Sequence, residues 1–582
     1  MRRLRPLFFA SFLIPSFWGA CSPGLAISDD AAGAGLEDGA GGRPGSSGGR
    51  LGATGGQAES GGASASGGKS SSSGGASSSV GGRTSGSGGA GGAGSCGECP
   101  KYASCVGEGD EARCECDEGF EEDGGACVDI DECEEDDPCG PNAICENARG
   151  SYKCSCEPGF VRDGETCVPR IRLASVSLSN EAGDAYSQYP AISADGRFVS
   201  FHGEASDLVL GDTNDTHDVF VFDRQAGEVS RVSVNSAGEE GNSSSTSSSL
   251  SGDGRYVVFS SYANNLVADD TNGELDVFRH DRETGQTIRV SLAHDGSELQ
   301  GGQDYSAFPT ISADGNRVTF NSFASNLVPD DTNDSVDQFL RDIEAGTTIR
   351  VNLHNDGSQS GSPTSSLSFM PHISGNGRYV VFASLWSGFG GATDSYADIY
   401  RRDLQNNVTE YVSYPVATFF NDGSSAAPSI SRDGRYVVFH SSSSTLVPDD
   451  ENGVSDVFIR DLNTGVIERV SVTDDGQEAN DASYASFQRS VSSNGRYVVF
   501  MSFSTNLVEG DTNQLGDVFV RDRVLKRTIR VSVGPRGEEG DGHSSDGTIS
   551  DDGKTVAFYS TSQTFGVETE GRGQIWVYDL RD

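Results

Sequence analysis

The feature that most constrains this 582-residue chain is a unit that recurs seven times in its C-terminal part. Each unit contains Ser-x-Asp-Gly or Ser-x-Asn-Gly, and these marks are spaced by roughly 57 to 62 residues. The marking serines are Ser193, Ser251, Ser312, Ser374, Ser431, Ser492 and Ser550. An Asp-Gly or Asn-Gly pair favours a tight hairpin turn, and a regular repeat indicates an architecture built from copies of one supersecondary unit.

Every unit reads as four short strands. A short apolar piece ends at the serine, an alternating strand such as "GRYVVFSS" follows the turn, and "DVFIRD" and "RVSV" supply two more. Seven such units predict an all-β, seven-bladed β-propeller over residues 170–582. The last unit lacks its fourth strand, and "RLASVSL" (Arg172 to Leu178) precedes the first unit, so we expect this segment to complete the last blade. The repeats resemble the WD40-like repeats of TolB-type propellers.

An acidic phrase connects the second and third strands of five units. In each copy an Asp is followed by an Asn two positions later and by an Asp four positions after that. The copies are Asp212, Asn214, Asp218; Asp270, Asn272, Asp276; Asp331, Asn333, Asp337; Asp450, Asn452, Asp456; and Asp511, Asn513, Asp517. One interpretation is structural, with short polar side chains that fix the loop as Asx turns. The other is a set of cation sites, because alternating oxygen ligands suit calcium.

The loops predict one functional face. Loops between the second and third strands share a face with the long, Ser/Gly-rich loops between blades, and we expect that face to bind ligands. The fourth unit lacks the acidic phrase and is rich in aromatic residues, which indicates either a binding hot spot or a divergent blade that packs its own loops. These residues are Trp386, Phe389, Tyr396, Tyr414, Phe419 and Phe420.

Twelve of the thirteen cysteines lie between Cys96 and Cys167, which indicates a disulfide framework formed in an oxidising compartment. Each group of six ends with Cys-x-Cys, a Gly-Phe pair and a last cysteine, and so resembles an EGF-like module. The modules are expected at residues 96–128 and 129–168. The resemblance implies pairing of first with third, second with fourth and fifth with sixth. The implied pairs are Cys96 with Cys105, Cys99 with Cys114, Cys116 with Cys127, Cys133 with Cys145, Cys139 with Cys154, and Cys156 with Cys167.

The second module opens with "DIDEC" and continues with "CENARGSYKC", and this pattern resembles the calcium-binding type of EGF-like module. The resemblance implies Ca²⁺ as a cofactor, because calcium takes six to eight oxygen ligands. Asp129, Glu132 and Asn147 are expected to offer side-chain oxygens, and Ile130, Ala148 and Ser151 backbone carbonyls. Tyr152 is expected to pack against the preceding module. The alternative is a module with acidic decoration that binds no metal.

The N-terminus begins with Arg2, Arg3 and Arg5, followed by a short apolar stretch that ends at Cys21. It resembles a bacterial lipoprotein signal peptide over residues 1–20, in which Cys21 is lipidated; the alternative is ordinary secretory cleavage. Residues 21–95 are mostly Gly, Ser and Ala and are expected to be a disordered linker. We therefore expect an outer-membrane or cell-surface lipoprotein or, alternatively, a periplasmic or secreted soluble protein.

The formal net charge of −44 disfavours nucleic acid as a partner, because phosphate backbones are repelled. The repeat region contains no Gly-x-Ser-x-Gly nucleophile elbow, and the chain has no His-x-x-x-His pair. The sequence thus predicts a non-enzymatic, calcium-binding, membrane-anchored extracytoplasmic protein whose propeller binds an unknown protein or glycan. The alternatives are a carbohydrate-active propeller enzyme, either a glycosidase or a lyase, and a structural or adhesive envelope protein.

Overall fold

The computed structural model describes residues 96–107, 111–135, 138–164, 166–300, 305–359, 368–385, 389, 396–415 and 421–581. The expected signal peptide, Cys21 and the Gly/Ser-rich linker lie outside the described residues, as do Trp386, Phe419 and Phe420. Within the described ranges, no helix has the length and apolar character needed to cross a membrane.

Two small disulfide-bonded modules precede the large domain. The first contains β1 (Ala103–Val106), β2 (Arg113–Cys116), β3 (Phe120–Asp123) and β4 (Ala126–Asp129). The second contains α1 (Glu132–Glu135), β5 (Ala143–Ala148), β6 (Ser151–Cys156), β7 (Phe160–Asp163) and β8 (Thr166–Pro169). Consecutive strands pair as antiparallel hairpins. All six disulfides join the cysteines that the EGF-like resemblance implies, so that expectation is confirmed.

The rest of the described chain forms seven four-stranded antiparallel sheets, which are the blades of a β-propeller. Blade one contains β10 (Ser187–Ile192), β11 (Phe198–Gly203), β12 (Asp218–Asp223) and β13 (Glu228–Arg231). Blade two contains β14 (Ser245–Leu250), β15 (Tyr256–Ser261), β16 (Asp276–Asp281) and β17 (Gln286–Arg289). Blade three contains β18 (Ser306–Ile311), β19 (Arg317–Ser322), β20 (Asp337–Asp342) and β21 (Thr347–Arg350). Blade four contains β22 (Ser368–Ile373), β23 (Tyr379–Ser384), β24 (Asp398–Asp403) and β25 (Val408–Tyr411).

Blades five to seven repeat the same order. Blade five contains β26 (Ser425–Ile430), β27 (Tyr436–Ser441), β28 (Asp456–Asp461) and β29 (Val466–Arg469). Blade six contains β30 (Ser483–Ala485), β31 (Tyr497–Ser502), β32 (Asp517–Asp522) and β33 (Arg527–Arg530). Blade seven contains β34 (Ser544–Ile549), β35 (Thr555–Ser560) and β36 (Gln574–Asp579), and its fourth strand is β9 (Ile171–Leu173). The predicted seven-bladed fold is confirmed.

The N-terminal strand closes the ring as the repeat count predicts. Leu173 lies opposite Trp576 and Ile171 opposite Tyr578, so one end of the propeller chain completes the blade formed by the other end. The paired segment is shorter than the predicted one, because regular pairing ends at Leu173. This closure leaves blade seven with the same strand count as its neighbours and removes an open sheet edge from the ring.

The core lies between neighbouring blades. The second and third strands of each blade are buried almost throughout, because a blade packs on each side of them. One such interface combines Phe201 and Phe220 of blade one with Ala557 and Ile575 of blade seven. This arrangement explains why the second strands read as nearly continuous β-branched and aromatic runs.

The Asp-Gly turns also join blades. A Cβ atom added to Gly315, which has a φ of +74°, would lie 2.1 Å from the ring of Tyr256 in the preceding blade. Gly434 makes the same approach to Tyr379, at 2.1 Å. Only glycine fits where the backbone lies this close to a neighbouring ring. The turn glycine and the aromatic residue that begins each second strand therefore form an inter-blade contact.

The second EGF-like module is held against the propeller. A Cβ atom added to Gly159 would lie 1.5 Å from the carbonyl oxygen of Pro535, so the two backbones are in direct contact. Arg581 approaches Asp163 at 3.4 Å, and Arg170 exchanges backbone and side-chain hydrogen bonds with Asp579. Because β8 leads into β9 with one intervening residue, this module continues directly into the closing strand.

Candidate functional site

Each acidic phrase folds around an arginine from the fourth strand of its own blade. In blade two, Nη1 of Arg289 lies 2.7 Å from Oε1 of Glu298, 3.2 Å from Oδ2 of Asp276 and 3.5 Å from Oδ1 of Asp270. The Arg289 and Asp270 side chains are 6% and 3% exposed, and Asp276 is fully buried. We call this group an arginine-centred cluster.

The cluster recurs in four other blades. Its members are Arg231 with Asp212, Asp218 and Glu240; Arg350 with Asp331, Asp337 and Gln359; Arg469 with Asp450, Asp456 and Glu478; and Arg530 with Asp511, Asp517 and Glu539. In every copy the arginine follows the second Asp by 13 positions, and the Glu or Gln follows the arginine by nine. Sequence analysis did not single out these arginines and glutamates, although their regular spacing is visible.

The asparagine of each phrase makes the turn that the structural interpretation predicts. Oδ1 of Asn272 accepts a hydrogen bond from the backbone N–H of Glu274 at 2.9 Å, and its Nδ2 donates to Asp276 at 3.0 Å. Glu298 accepts hydrogen bonds from both the amide and the hydroxyl of Thr271. The phrase thus ties the loop between the second and third strands to the loop that leads to the next blade.

The carboxylates of three clusters offer oxygens that all lie within 4.8 Å of one another, which is close enough to share a metal ion. The guanidinium group already supplies a positive charge at that position. Burial raises the pKa of Asp270 to about 6; Arg289 opposes this rise, and Asp276 and Glu298 add to it. For Glu298, burial is outweighed by the hydrogen bonds from Thr271 and by Arg289, which lower its pKa to about 2. The chemistry of the clusters is therefore that of internal ion pairs.

The second EGF-like module brings several of the expected calcium ligands into contact. Oδ1 of Asp129 accepts the backbone N–H of Gly150 at 2.5 Å, and Nδ2 of Asn147 donates to Oδ2 of Asp129 at 3.3 Å. Ala148 pairs with Ser151 at the end of the same hairpin. Glu132 begins α1, and its Oε2 atom is buried with no hydrogen-bond partner among the described residues. A buried, unpartnered carboxylate oxygen is costly unless it meets a cation, so this donor set fits Ca²⁺.

The joint between the two modules is made by a ring that sequence analysis did not single out. A Cβ atom added to Gly150 would lie 2.7 Å from the Phe120 ring, which in turn stacks on Tyr102 at 4.5 Å. Nη1 of Arg149 donates to the Tyr102 hydroxyl at 3.1 Å. Tyr152, which was expected at this joint, is 41% exposed. Phe120 belongs to the Gly-Phe pair of the first module, and Gly159, which contacts the propeller, belongs to the pair of the second. Each Gly-Phe pair therefore lies at a junction with the following domain.

The two ends of the propeller differ. We call the end with the Ser-x-Asp-Gly turns the turn face and the opposite end, with the inter-blade loops, the loop face. On the turn face, backbone amides donate to carbonyls of neighbouring turns, as from Ala194 to Gly252, from Gly252 to Ala313 and from Ala313 to Gly375, at 2.9–3.0 Å. Asp551 joins Arg432 at 2.8 Å and Arg489 at 3.2 Å across the same end. These bonds close much of a ring around the channel.

Blade six breaks the symmetry of the channel. Nine positions separate Ser483 from Ser492, whereas six separate Ser187 from Ser193 and the corresponding serines of other blades. The additional residues leave the sheet, and Nε2 of Gln488 donates to the carbonyl of Ser248 in blade two at 3.2 Å. Because blades six and two are not neighbours, this bond crosses the channel. The longer serine spacing of blade six is visible in the sequence and could have indicated that this inner strand is irregular.

The loop face carries exposed aromatic side chains. Tyr262, Tyr305 and Phe323 flank the loop-face ends of β15, β18 and β19 and are 51%, 37% and 38% exposed. Phe308, on the inner strand of blade three, is 45% exposed and has a φ of +53°. Tyr186, Tyr189 and Phe487 are also exposed at this end. Positive φ values recur at this position of the inner strands, at Tyr189, Ser247, Phe308, Met370, Ala427 and Asp546.

Blade four packs its own aromatic residues. Phe389 is 3% exposed, and its ring lies 5.7 Å from Phe382 and 5.1 Å from Tyr400. The Tyr414 ring lies 3.5 Å from the guanidinium carbon of Arg460. For Phe389 the divergent-blade interpretation is confirmed, whereas Tyr414 contacts a residue of blade five and Tyr396 is 43% exposed.

Comparison with known proteins agrees with the modular architecture. An EGF domain family model matches residues 133–167. Nidogen-2 from Mus musculus is 46% identical over 56 residues, which are 9% of this chain and 4% of nidogen-2. TolB from Acinetobacter baumannii is 15% identical, with 61% of this chain and 65% of that chain covered and a TM-score of 0.33. An oligogalacturonate lyase from Vibrio parahaemolyticus is 10% identical, with 71% and 97% covered and a TM-score of 0.42. The chain thus joins an EGF-like region to a seven-bladed propeller, an assignment that rests on its own disulfides and strand order.

Proposed function

We propose that this protein is a non-enzymatic, calcium-binding, membrane-anchored extracytoplasmic protein whose propeller binds a protein or glycan on the loop face. The observation that carries the proposal is the group of exposed aromatic side chains at that end of a closed, rigid scaffold. Aromatic rings supply large contact areas at low conformational cost and are enriched in binding hot spots.

The opposite end of the propeller supports this assignment of faces. On the turn face, arginine–aspartate pairs such as Arg378 with Asp403 and Arg496 with Asp522 satisfy the turns, and hydrogen bonds link neighbouring blades. These charged and polar groups bind one another and stabilise the fold, so they offer little to a ligand. The loop face instead offers Tyr262, Tyr305 and Phe323, whose rings lie partly in solvent.

Calcium has a structural role in this proposal. Asp129, Glu132 and Asn147 would hold it with side-chain oxygens, and Ile130, Ala148 and Ser151 with carbonyls. The bound ion would fix the start of the second module, next to the contact between Gly150 and Phe120. Both modules would then form a stiff connection to the propeller, and lipidation at Cys21 would hold the assembly at the outer membrane or cell surface.

A matched pair of variants tests the proposed face. The loop-face variant carries Tyr262→Ser, Tyr305→Ser and Phe323→Ser, and the turn-face control carries Val524→Ser and Leu525→Ser, which also removes exposed apolar side chains. Glycan arrays and crosslinking to envelope extracts are run with calcium present. We expect ligands retained by the wild type and the control to be lost from the loop-face variant. Equal loss from both variants would contradict the proposal.

Two further measurements test the remaining parts. Assay of the purified protein on a panel of acidic and neutral polysaccharides is expected to give no turnover, and a product that accumulates with time would establish the enzymatic alternative. Replacement of Cys21 by Ser is expected to move the protein from the membrane fraction to the soluble fraction. An unchanged distribution would show that no lipid at Cys21 anchors it.

A further inference from the structure

Asp546 occupies an unusual position on the inner strand of blade seven. It is half-buried, and its φ of +53° places it in the left-handed region, which aspartate tolerates better than most residues. The equivalent positions in five other blades carry Tyr189, Ser247, Phe308, Met370 and Ala427, and none of these bears a charge. The carboxylate is thus a specific feature of the junction between blades seven and one.

Most other shielded aspartates of the propeller are paired with arginine. Asp276 lies against Arg289, Asp461 against Arg435, and Asp551 against Arg432. Within the described part of the chain, the Asp546 carboxylate accepts a hydrogen bond from the Ser545 hydroxyl at 2.9 Å. A shielded carboxylate without a cation is costly, and burial raises the pKa of Asp546. This position therefore lacks the internal counter-charge that the fold supplies elsewhere.

Three tyrosines lie on the strands next to Asp546 or at their ends. Ser545, which precedes Asp546 in β34, pairs with Tyr559 in β35, and Asp546 lies in the irregular part of the pairing that follows. Tyr189 lies on β10, the adjacent inner strand of blade one. Burial raises the pKa of both Tyr189 and Tyr559, and the nearby Asp546 carboxylate raises each further. Tyr186 adds a third hydroxyl near Tyr559. Tyr186 and Tyr189 are 48% and 40% exposed, so ligands can reach the group from the loop face.

His202, which stacks on Tyr189, is uncharged and therefore does not repel a bound cation. His202 stacks on Tyr189 with ring centres 5.3 Å apart, and its Nδ1 accepts the backbone N–H of Ser247 at 3.4 Å. Burial lowers the pKa of His202 to about 3, with His217 adding to the effect, so His202 is neutral at physiological pH. His217 itself lies 3.4 Å from Glu204.

We propose that Asp546, Tyr186, Tyr189 and Tyr559 form a binding site for an organic ammonium group, either on a small molecule or on a side chain of a protein partner. Aromatic faces attract ammonium ions through their quadrupoles, and a carboxylate among them supplies the counter-charge. The net charge of −44 raises the local concentration of cations around the whole molecule. The site deepens the proposed function and rests on its assignment of the loop face as the binding face.

The test uses choline as the cation and 3,3-dimethyl-1-butanol as its neutral isostere. Binding to the full chain is measured by calorimetry and tyrosine fluorescence at constant ionic strength with calcium present. We expect choline to bind at least about tenfold more tightly than the isostere, because only the cation gains from the carboxylate and the ring quadrupoles. Equal affinities would replace the proposal with a purely apolar pocket, and no choline binding up to about 100 mM would remove the site.

Two matched variants test whether the Asp546 carboxylate supplies the negative charge that choline binding requires. Asp546→Asn keeps a residue type that tolerates positive φ and is expected to weaken choline binding at least about tenfold. Asp215→Asn is the control, because Asp215 is exposed on the same face, has a φ of +52° and carries the same charge. Equal effects of the two variants would attribute binding to net charge and overturn the site. Tyr189→Leu provides a second reading, with an expected loss of at least about threefold.

The outcomes separate this inference from the proposed function. The aromatic group tested there, Tyr262, Tyr305 and Phe323, belongs to blades two and three, whereas Asp546 lies between blades seven and one. Ligand capture that depends on the first group without choline binding would overturn the ammonium site alone. Choline binding that depends on Asp546, without any captured protein or glycan, would overturn the broader proposal alone.

Discussion

Replacement of Arg289 by Met tests whether the arginine-centred clusters depend on an internal cation. The substitution keeps the length of the side chain and removes the charge that meets Glu298, Asp276 and Asp270 at 2.7, 3.2 and 3.5 Å. At an effective dielectric of about 20, each contact contributes on the order of 5 kcal/mol of Coulomb energy, most of it offset by desolvation. Removal of one partner from a buried pair costs about 3–5 kcal/mol.

This cost converts into a measurable shift of the melting temperature. Unfolding entropy of about 2.1 cal/mol/K per residue over roughly 410 propeller residues gives a fall of about 4–6 °C. The assay is thermal unfolding followed by circular dichroism at pH 7.5. The control is Arg536→Met, which removes an arginine whose side chain is 85% exposed and pairs with Glu538, and should change stability by less than about 0.5 kcal/mol. A melting temperature within about 1 °C of the wild type for Arg289→Met would refute the argument.

The same variant asks whether a metal can take the place of the guanidinium. Without Arg289, the carboxylates of Asp270, Asp276 and Glu298 keep oxygens within 4.8 Å of one another, a donor set that suits calcium. Calcium should therefore recover part of the lost stability in Arg289→Met. Both chains carry Asn147→Ala so that the EGF-like module contributes no calcium signal. An equal gain in the Arg289-containing chain would show that the cluster binds metal despite its arginine.

Three further predictions concern calcium, the module junction and pH. Glu132→Gln should remove one calcium site by calorimetry, whereas Asp163→Asn, in the same module, should keep it. Gly159→Ala places a Cβ atom 1.5 Å from the carbonyl oxygen of Pro535, so it should separate the module from the propeller and speed proteolysis between them, whereas Gly164→Ala, with nothing within 4 Å, should not. Burial raises the pKa of Asp270 to about 6 in the folded state, above its ordinary value, so its contribution to stability is present at pH 4 and lost as pH rises through 6. Asp270→Asn should flatten the fall in urea midpoint between pH 4 and 7, and an unchanged slope would contradict the assigned pKa.

Much of the fold follows from local rules that the sequence displays directly. The Ser-x-Asp-Gly turns, the alternating second strands and the missing fourth strand of the last unit are local patterns. They predict the number of blades and closure by the segment Arg172 to Leu178, of which the structure pairs Ile171–Leu173. The disulfide pairing is likewise confirmed, although it follows from resemblance to a module and not from spacing alone.

The contents of the sites were harder to predict because they depend on contacts between distant segments. Arg289 and Glu298 are needed to explain Asp270, but they come from the fourth strand and the following loop. Asp546 and Tyr189 lie on neighbouring inner strands only because the ring closes and brings blade seven beside blade one. The acidic phrase alone therefore did not indicate that a guanidinium group lies among its carboxylates.

The closing strand has a mechanical consequence. A pull on the N-terminal modules would be transmitted to Ile171–Leu173, which is paired to β36 through three residues, and to the contacts around Gly159 and Arg581. The blade that takes up this load is the one that joins the two ends of the ring, so rupture there would open the circle instead of peeling off an independent unit. Because blade seven also carries Asp546, tension applied through the N-terminal modules would act on the same blade as the proposed ammonium site.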